Sequence, residues 1–267
     1  MIVVSPTDRW LKSALDDCKA LLSISSPFVG DYLTATIAAV QDNISIRLLT
    51  RTLLTDFARN ASDFDAVYSV AQRIGGVFSL SSLHAKVYII DRKRALITSA
   101  NATFSGMFRN RECGFEITDR NDIRELDGLI DSGFGSTPHP QLWTVEDLEE
   151  LRVPVERLRS SLPRVAILPE PATEALAPIQ LPRRQYDRLV ESFSGWLQLT
   201  MEGLSRIRSE TFTMDDIVAA CASLAASRYP NNRHVREKLR QQMQRLRDLG
   251  LVLFIGRGRY ERLASPS

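Results

Sequence analysis

The sequence is poor in the residues that most often carry chemistry. Among 267 residues there are three histidines, His84, His139 and His234, and three cysteines, Cys18, Cys113 and Cys221. The cysteines lie far apart and are odd in number, which excludes a metal cluster by spacing and a fully paired disulfide framework. They read as reduced structural thiols of a cytoplasmic protein. Neither His139 nor His234 sits in a ligand spacing, so no metal and no other cofactor is expected. No apolar run approaches the length of a membrane span. The opening MIVVSPTDRW lacks the basic start and long apolar stretch of a signal peptide, so no membrane association is expected. No internal repeat is visible.

What is present is an ordinary globular composition, 44% hydrophobic and 25% charged, long enough for one large domain or two ordinary ones. The net charge is +2 but unevenly spread. Residues 228–262 hold ten Lys and Arg against Glu237, Asp248 and Glu261, leaving the remainder of the chain net acidic. A localised basic segment predicts a localised anionic partner.

The first third alternates between two periodicities. LLSISSPFV, ISIRLLTR, VFSLSSLHAKVYIID, ALITSAN and ECGFEIT read as strands. Helices are expected from Tyr32 to about Val40 after Asp31, from Ala66 to Ile74 before Gly75-Gly76, and around Asp122 to Ile130. This order predicts an α/β layered domain. Eight of the twelve prolines fall between Pro138 and Pro182, marking a connector, part of which (Thr144 to Leu151) reads as helical. Beyond Arg184 helices are expected at Gln185 to about Gly203, at Met214–Arg228 behind a Thr213 cap, and at Arg233–Leu249 before Gly250. LVLFI, a Gly256-Arg257-Gly258 turn and RYERL then form a hairpin.

One histidine stands out. In LHAKVYIID, His84 and Lys86 are two residues apart and share a face if the segment is a strand; Ser99 and Asn101 share a face on the next strand. Paired, the two strands would gather an imidazole, an ammonium, a hydroxyl and an amide, a set suited to a phosphate group. A lone H-x-K is more often an ordinary strand histidine beside a snorkelling lysine; here the spacing goes further. HAKVYIIDRKRALITSAN resembles the phospholipase D superfamily signature H-x-K-x4-D-x6-G-S-x-N, with His84, Lys86, Asp91, Ser99 and Asn101 in register and Thr98 in place of the glycine. Glu112 looks like the family's downstream acid.

The resemblance covers about residues 1–135 and implies a layered α-β-α sandwich with a mixed sheet. It further implies a metal-free site in which His84 or its partner attacks phosphorus to give a phosphohistidine and a second histidine protonates the leaving oxygen. Lys86 and Asn101 would hold phosphoryl oxygens, with Ser99 as a further donor, Glu112 would orient an imidazole, and Asp91 would be structural. With one motif per chain, two histidines require a symmetric dimer, the arrangement of the single-motif bacterial endonucleases of the superfamily.

On the helix from Arg233 to Leu249, Val235, Leu239, Met243, Leu246 and Leu249 form an apolar stripe. Arg233, Arg236, Arg240 and Arg247, with Gln244, gather about a third of a turn away. Arg257 and Arg259 sit at the hairpin tip. Helix, helix, arginine-faced helix and basic hairpin fit a winged-helix domain that grips double-stranded DNA. NNRHVREKLRQQMQRLRDLGLVLFIGRGRY (residues 231–260) resembles the C-terminal winged-helix domain of Dam-replacing-type and methyl-adenine-dependent restriction enzymes, and the resemblance covers about residues 210–262.

The organisation expected is therefore a nuclease domain over residues 1–135, a connector over 136–183, and a helical segment with a winged helix over 184–267. The function expected is a metal-independent, homodimeric DNA endonuclease of restriction or defence type. A phospholipase or phosphatidyltransferase, a DNA-binding regulator without catalysis, and RNA as substrate are the competing readings.

Overall fold

The structure is a computed structural model, and it describes residues 1–136, 139–161 and 179–266. The chain forms two compact units, one of residues 1–52 and 60–149, the other of residues 53–59 and 150–267. The part of the proline-rich connector at 162–178, including most of LPEPATEALAPIQLP, lies outside the described residues.

The first unit runs β1 (Ile2–Val4), α1 (Asp8–Asp16), β2 (Leu21–Ser25), α2 (Asp31–Ala38) and β3 (Ser45–Thr50). After α3 (Leu54–Ala58), which belongs to the second unit, it continues with α4 (Phe64–Ile74), β4 (Val77–Ser79), β5 (Val87–Ile90) and β6 (Arg94–Thr98). A π-helical turn (Ser105–Arg109), β7 (Cys113–Ile117), α5 (Arg120–Asp131), β8 (Gln141–Trp143) and α6 (Val145–Glu149) complete it. The eight strands make one mixed sheet in the order β1-β7-β6-β5-β2-β3-β4-β8. β2, β3 and β4 are parallel, and β5, β6, β7 and β1 are antiparallel to their neighbours. The fold is α/β, as the alternating periodicities predict. β1 and α1 were not singled out from sequence; for β1, three residues are too few to establish an alternation.

The helix ends follow local chemistry. Asp63 caps α4 by accepting from the Ala66 N–H at 3.1 Å, and Gly75 closes it at φ +84°. Asp119 caps α5 by accepting from Asn121 and Asp122. Helix α5 lays Ile123, Leu126 and Ile130 on Val87, Ile89 and Ala95 of the sheet.

The β5–β6 hairpin is anchored at its turn. Asp91 and Arg92 both adopt left-handed backbone (φ 52° each), and the Lys93 N–H donates to the Ile90 carbonyl at 2.9 Å. Two successive left-handed residues match the twist of a tight hairpin. The Asp91 carboxylate accepts from the backbone N–H groups of Lys19, Ala20 and Leu21, each at 2.8 Å, fixing the start of β2 beside β5. Arg92 Nε donates to Asp127 of α5 at 2.5 Å, and Asp127 also pairs with Arg47 of β3.

The second unit holds α3, α7 (Arg152–Ser161), β9 (Ile179–Leu181), α8 (Arg183–Ser192), α9 (Gly195–Arg206), β10 (Thr211–Thr213) and α10 (Met214–Arg228). It ends with α11 (Val235–Asp248), β11 (Val252–Gly256), β12 (Arg259–Arg262) and β13 (Ala264–Pro266). The single helix expected from Gln185 to Gly203 is two helices. The chain turns extended at Phe193 and Ser194, and Gly195 takes φ +55°, a conformation cheap only for glycine. α10 begins and ends where its cap predicts, with a reciprocal capping box between Thr213 and Asp216. β10, β12 and β11 form a small antiparallel sheet whose β11–β12 turn is Gly256-Arg257-Gly258, all at positive φ. Helices α10 and α11 followed by this hairpin are a winged helix of the helix-turn-helix type.

The Asp91 cluster yields a stability prediction. Burial pushes its carboxyl up, but the three backbone donors outweigh that and, with Lys93, hold it below the usual 3.8. A depressed carboxyl contributes stability above its unfolded pKa and loses it as pH falls through the folded one. Asp91→Ala is expected to cost about 2 kcal/mol at pH 7 in urea unfolding, with the difference from wild type vanishing below the folded pKa of Asp91.

Candidate active site

The strand ends decide where the motif residues stand. β5 begins only at Val87 and β6 ends at Thr98, so His84, Lys86, Ser99 and Asn101 are all just outside the sheet. Antiparallel register brings them together nonetheless. Val87 lies opposite Ile97, and the Thr98 N–H donates to the Lys86 carbonyl at 3.1 Å. The Ser99 N–H donates to the Cys113 carbonyl at 3.0 Å, placing Glu112 at the same end of the sheet. Within each pair the exposure differs: His84 and Ser99 are exposed, whereas Lys86 and Asn101 are buried.

Lys86 Nζ lies 2.9 Å from His84 Nε2 and 3.0 Å from the His84 carbonyl oxygen. An ammonium has only hydrogens to offer, so Nε2 is the acceptor and carries the lone pair. Partial burial lowers the His84 pKa below its usual 6.5, and the charges of Lys86 and Arg51 lower it further. The ring is therefore neutral at neutral pH with a nucleophilic nitrogen at the mouth of the site. Lys86, only 7% exposed, is held in place by the sheet while its charge points at that nitrogen.

Ser99 donates its hydroxyl to the Glu112 carboxylate and accepts from the Cys113 N–H at 3.2 Å. Glu112, expected to orient an imidazole, thus holds a hydroxyl within this chain. Asn101 is fixed by its surroundings. The Tyr88 hydroxyl donates to the Ala100 carbonyl at 3.2 Å, and the Ala102 N–H donates to Ser26 Oγ at 2.9 Å. The π-helical turn packs on Asn101 through Gly106, where a Cβ would come within 2.5 Å of the Asn101 carbonyl oxygen. Helices of this rare kind recur at functional sites.

Thr98, where the family signature has glycine, donates its hydroxyl to the Cys113 carbonyl at 3.2 Å and accepts from the Ala100 N–H at 3.2 Å. Its bulk is accommodated by Gly114 directly opposite, where a Cβ would lie 2.8 Å from the Thr98 Cβ. The glycine has in effect changed strands. Asp91 stands at the far end of the hairpin, away from these groups.

Three contributors were not singled out from sequence. Arg51, just beyond β3, acts on His84 by charge and lies over the Phe28 ring at 5.1 Å. Ser5 accepts from the Glu112 N–H at 2.5 Å and donates to the Asn110 carbonyl at 2.8 Å. Gly114 makes room for Thr98. Only Gly114 had a local signal, a lone glycine inside a strand. Among the described residues no three His, Cys, Asp or Glu gather as a metal-binding group, and no helix is long and apolar enough to cross a membrane.

In the second unit Arg233, Arg236, Arg240, Arg257 and Arg259 are exposed and Gln244 is half-buried. Arg236 pairs with Asp215 at 2.7 Å, and Arg259 donates to Thr211 Oγ1 at 3.2 Å. Arg247 does not belong with them. It is 9% exposed and donates from Nε and Nη2 to the fully buried Asp248 at 3.0 and 2.6 Å, so it serves the core. Helical periodicity alone could not reveal that its neighbour claims it.

The family described as "Cardiolipin synthase, PLD-like domain" matches residues 11–132, and the family described as "Dam-replacing HTH domain" matches residues 192–262. Among solved structures, Nuc of Salmonella typhimurium, a phospholipase D family member, is 18% identical, with TM-score 0.43 over 54% of this chain and 97% of that one. NucT from Helicobacter pylori is 17% identical, with TM-score 0.39 over 48% and 90% of the two chains. The phosphatidylserine synthase of Haemophilus influenzae Rd KW20 is 15% identical, with TM-score 0.42 over 57% and 40%. This chain joins a phospholipase D-like domain, with the superfamily's His, Lys, Asp, Ser and Asn in register, to a C-terminal Dam-replacing HTH domain.

Proposed function

We propose that the protein is a metal-independent phosphodiesterase acting on double-stranded DNA as a homodimer, with His84 as nucleophile. The observation that carries this reading is the His84–Lys86 pair, a neutral imidazole 2.9 Å from a buried ammonium, in a chain that also bears a Dam-replacing HTH domain.

The chemistry follows from the groups present. When a phosphodiester enters, the Lys86 ammonium exchanges its contact with Nε2 for a phosphoryl oxygen, which frees the lone pair and neutralises charge on the phosphate. Nε2 attacks phosphorus, a P–N bond forms, and the P–O bond to the leaving strand breaks. The departing oxygen takes a proton from the partner subunit's His84, which acts in its imidazolium form, favoured there by the negative charge of the bound phosphate. That imidazole then removes a proton from water, whose oxygen displaces His84 and releases the second strand end as a phosphate monoester. Asn101 donates to the phosphoryl oxygens, and Ser99 with Glu112 lies at the rim of the same site. The exposed arginines of α11 and the wing hold backbone phosphates, with Gln244 placed to touch a base edge. The proposed division of the chain is catalysis by residues 1–135 and DNA capture by 184–267, joined through 136–183.

Cleavage of a plasmid panel, methylated and unmethylated, is expected to persist in EDTA and to disappear with His84→Ala. Loss of cleavage in EDTA, or wild-type cleavage by His84→Ala, contradicts the reading. Release of headgroup from phospholipid vesicles in place of DNA cleavage would make this a lipid enzyme, as the name cardiolipin synthase in the matching family would have it.

The pH profile carries a second test. Because the imidazolium is disfavoured by burial, Lys86 and Arg51, the acid limb of kcat/KM is expected below pH 6.5. Arg51→Gln removes one of those causes and is expected to move the limb upward.

For DNA capture, the double variant Arg236→Ala/Arg240→Ala is expected to weaken binding. It is also expected to flatten the slope of log K against log salt by about 0.9 for each phosphate no longer neutralised. An unchanged slope removes both residues from the interface.

A further inference from the structure

The segment that joins two residues of the site, Asn101 and Glu112, carries a group that the proposed chemistry does not use. Its π-helical turn sits on Asn101 so closely that a Cβ at Gly106 would also come within 2.8 Å of the Asn101 amide nitrogen. Met107 is buried, while Phe104 before it and Phe108 after it are 51 and 39% exposed. The two rings stand together, centroids 4.9 Å apart and planes tilted by 34°. Each has a cation over it: Arg109 lies 4.9 Å from the Phe104 centroid, and Lys12 of α1 lies 5.8 Å from that of Phe108. The group is braced. Tyr32 of α2 meets Phe108 edge-on at 5.6 Å and donates its hydroxyl at 2.7 Å to the buried Asp8, which also holds Lys12 at 2.9 Å. Arg111, exposed, follows just before Glu112.

A single exposed ring needs no explanation. Two in contact, between cations, on a turn packed against a residue of the site, do. Core packing does not account for them, since so much of each ring stays in water. Flat apolar faces beside Lys and Arg suit a ligand that carries flat bases on a chain of phosphates. The reach agrees. Three residues of chain span at most about 11 Å, so Phe104 lies within about three stacked-base steps of about 3.4 Å from Asn101. In a paired duplex each base is covered by its neighbours, so a protein ring can stack only on a base that has left the helix or was never paired.

We propose that Phe104 and Phe108 form a stacking platform for an unpaired base of the strand whose phosphodiester sits at Asn101, with Lys12, Arg109 and Arg111 along its backbone phosphates. The inference rests on the reading of this site as one that cuts DNA, and it narrows the substrate. The strand is open beside the bond to be cut, either by extrusion of a base from the duplex or because the DNA is already unpaired there.

The test uses the full-length His84→Ala protein, so that binding is measured without cleavage. Two oligonucleotides of equal length are compared: oligothymidylate, and a chain of abasic sites that has the same phosphates and no bases. With both phenylalanines in place, the thymidylate is expected to bind at least about tenfold more tightly. Phe104→Ala/Phe108→Ala is expected to bind both alike. Phe104→Tyr/Phe108→Tyr keeps the rings and is expected to restore the preference, whereas Phe104→Leu/Phe108→Leu, apolar but without rings, is not. Circular dichroism checks that each variant is folded.

Equal affinity for the two oligonucleotides with both phenylalanines present, or a preference that survives Phe104→Ala/Phe108→Ala, overturns the platform and leaves the His84 chemistry standing. A preference lost with the rings, in a protein whose His84 form cuts no DNA in EDTA, supports the platform and overturns the hydrolytic reading instead. Binding to anionic phospholipid vesicles that disappears in Phe104→Ala/Phe108→Ala, with oligonucleotide binding unchanged, assigns the rings to a lipid surface and overturns the platform.

Discussion

The register of the β5–β6 hairpin is the constraint on which the site depends. At one end, Asp91 and Arg92 close a left-handed turn, and the Asp91 carboxylate ties it to the start of β2 through three backbone N–H groups. At the other end, the same register sets Lys86 across from Thr98 and carries Ser99 on to Cys113. A slip of one residue would turn every side chain to the opposite face. It would also pull the lysine away from the serine and asparagine. The motif's fixed spacing from His84 to Asn101 is thus a measure of hairpin length: the distance from anchor to site and back.

With the hairpin in place, electrostatics does the remainder. Burial disfavours the charged form of a lysine, and anything that supplies negative charge restores it. Lys86 is set against a histidine ring and a carbonyl oxygen, and a phosphate brings the full opposite charge to the same place. Partial burial, with the charges of Lys86 and Arg51, disfavours the charged form of His84, so in the proposed reaction one arrangement would both attract the anion and keep the attacking nitrogen unprotonated. Supporting contacts are spent on rigidity. Tyr88, Ser26 and the close approach of Gly106 hold the Asn101 segment, and Ser5 holds Glu112.

Much of this was legible in the sequence. Period-two and helical segments gave the α/β class, and caps gave the ends of α4 and α10 within a residue or two. The motif spacing pointed to the end of the β5–β6 hairpin where His84, Lys86, Ser99 and Asn101 lie, with Asp91 at its turn. What escaped is physical in origin. A shared face does not mean equal exposure: within His84 and Lys86, and within Ser99 and Asn101, one residue is exposed and the other buried, which spacing alone does not reveal. The exchange of glycine between positions 98 and 114 is a cross-strand relation that no linear motif contains. Arg247 followed helical periodicity onto the basic face, but the side chain bends back to Asp248, which a periodicity of charge cannot distinguish from solvent exposure. Short elements such as β1 have too few residues to show a pattern, though β1 leads straight into Ser5, which holds Glu112.

The central claim is that one histidine per chain makes a site only when two chains meet. Subunit mixing tests it most directly. Wild type and His84→Ala protein are combined in equal amounts, allowed to exchange, and assayed for DNA cleavage against wild type at the same total concentration. A composite site requires both histidines, so only wild-type pairs cut, and the activity falls to about a quarter. A value of about one half, simple dilution of chains that each act alone, would contradict it.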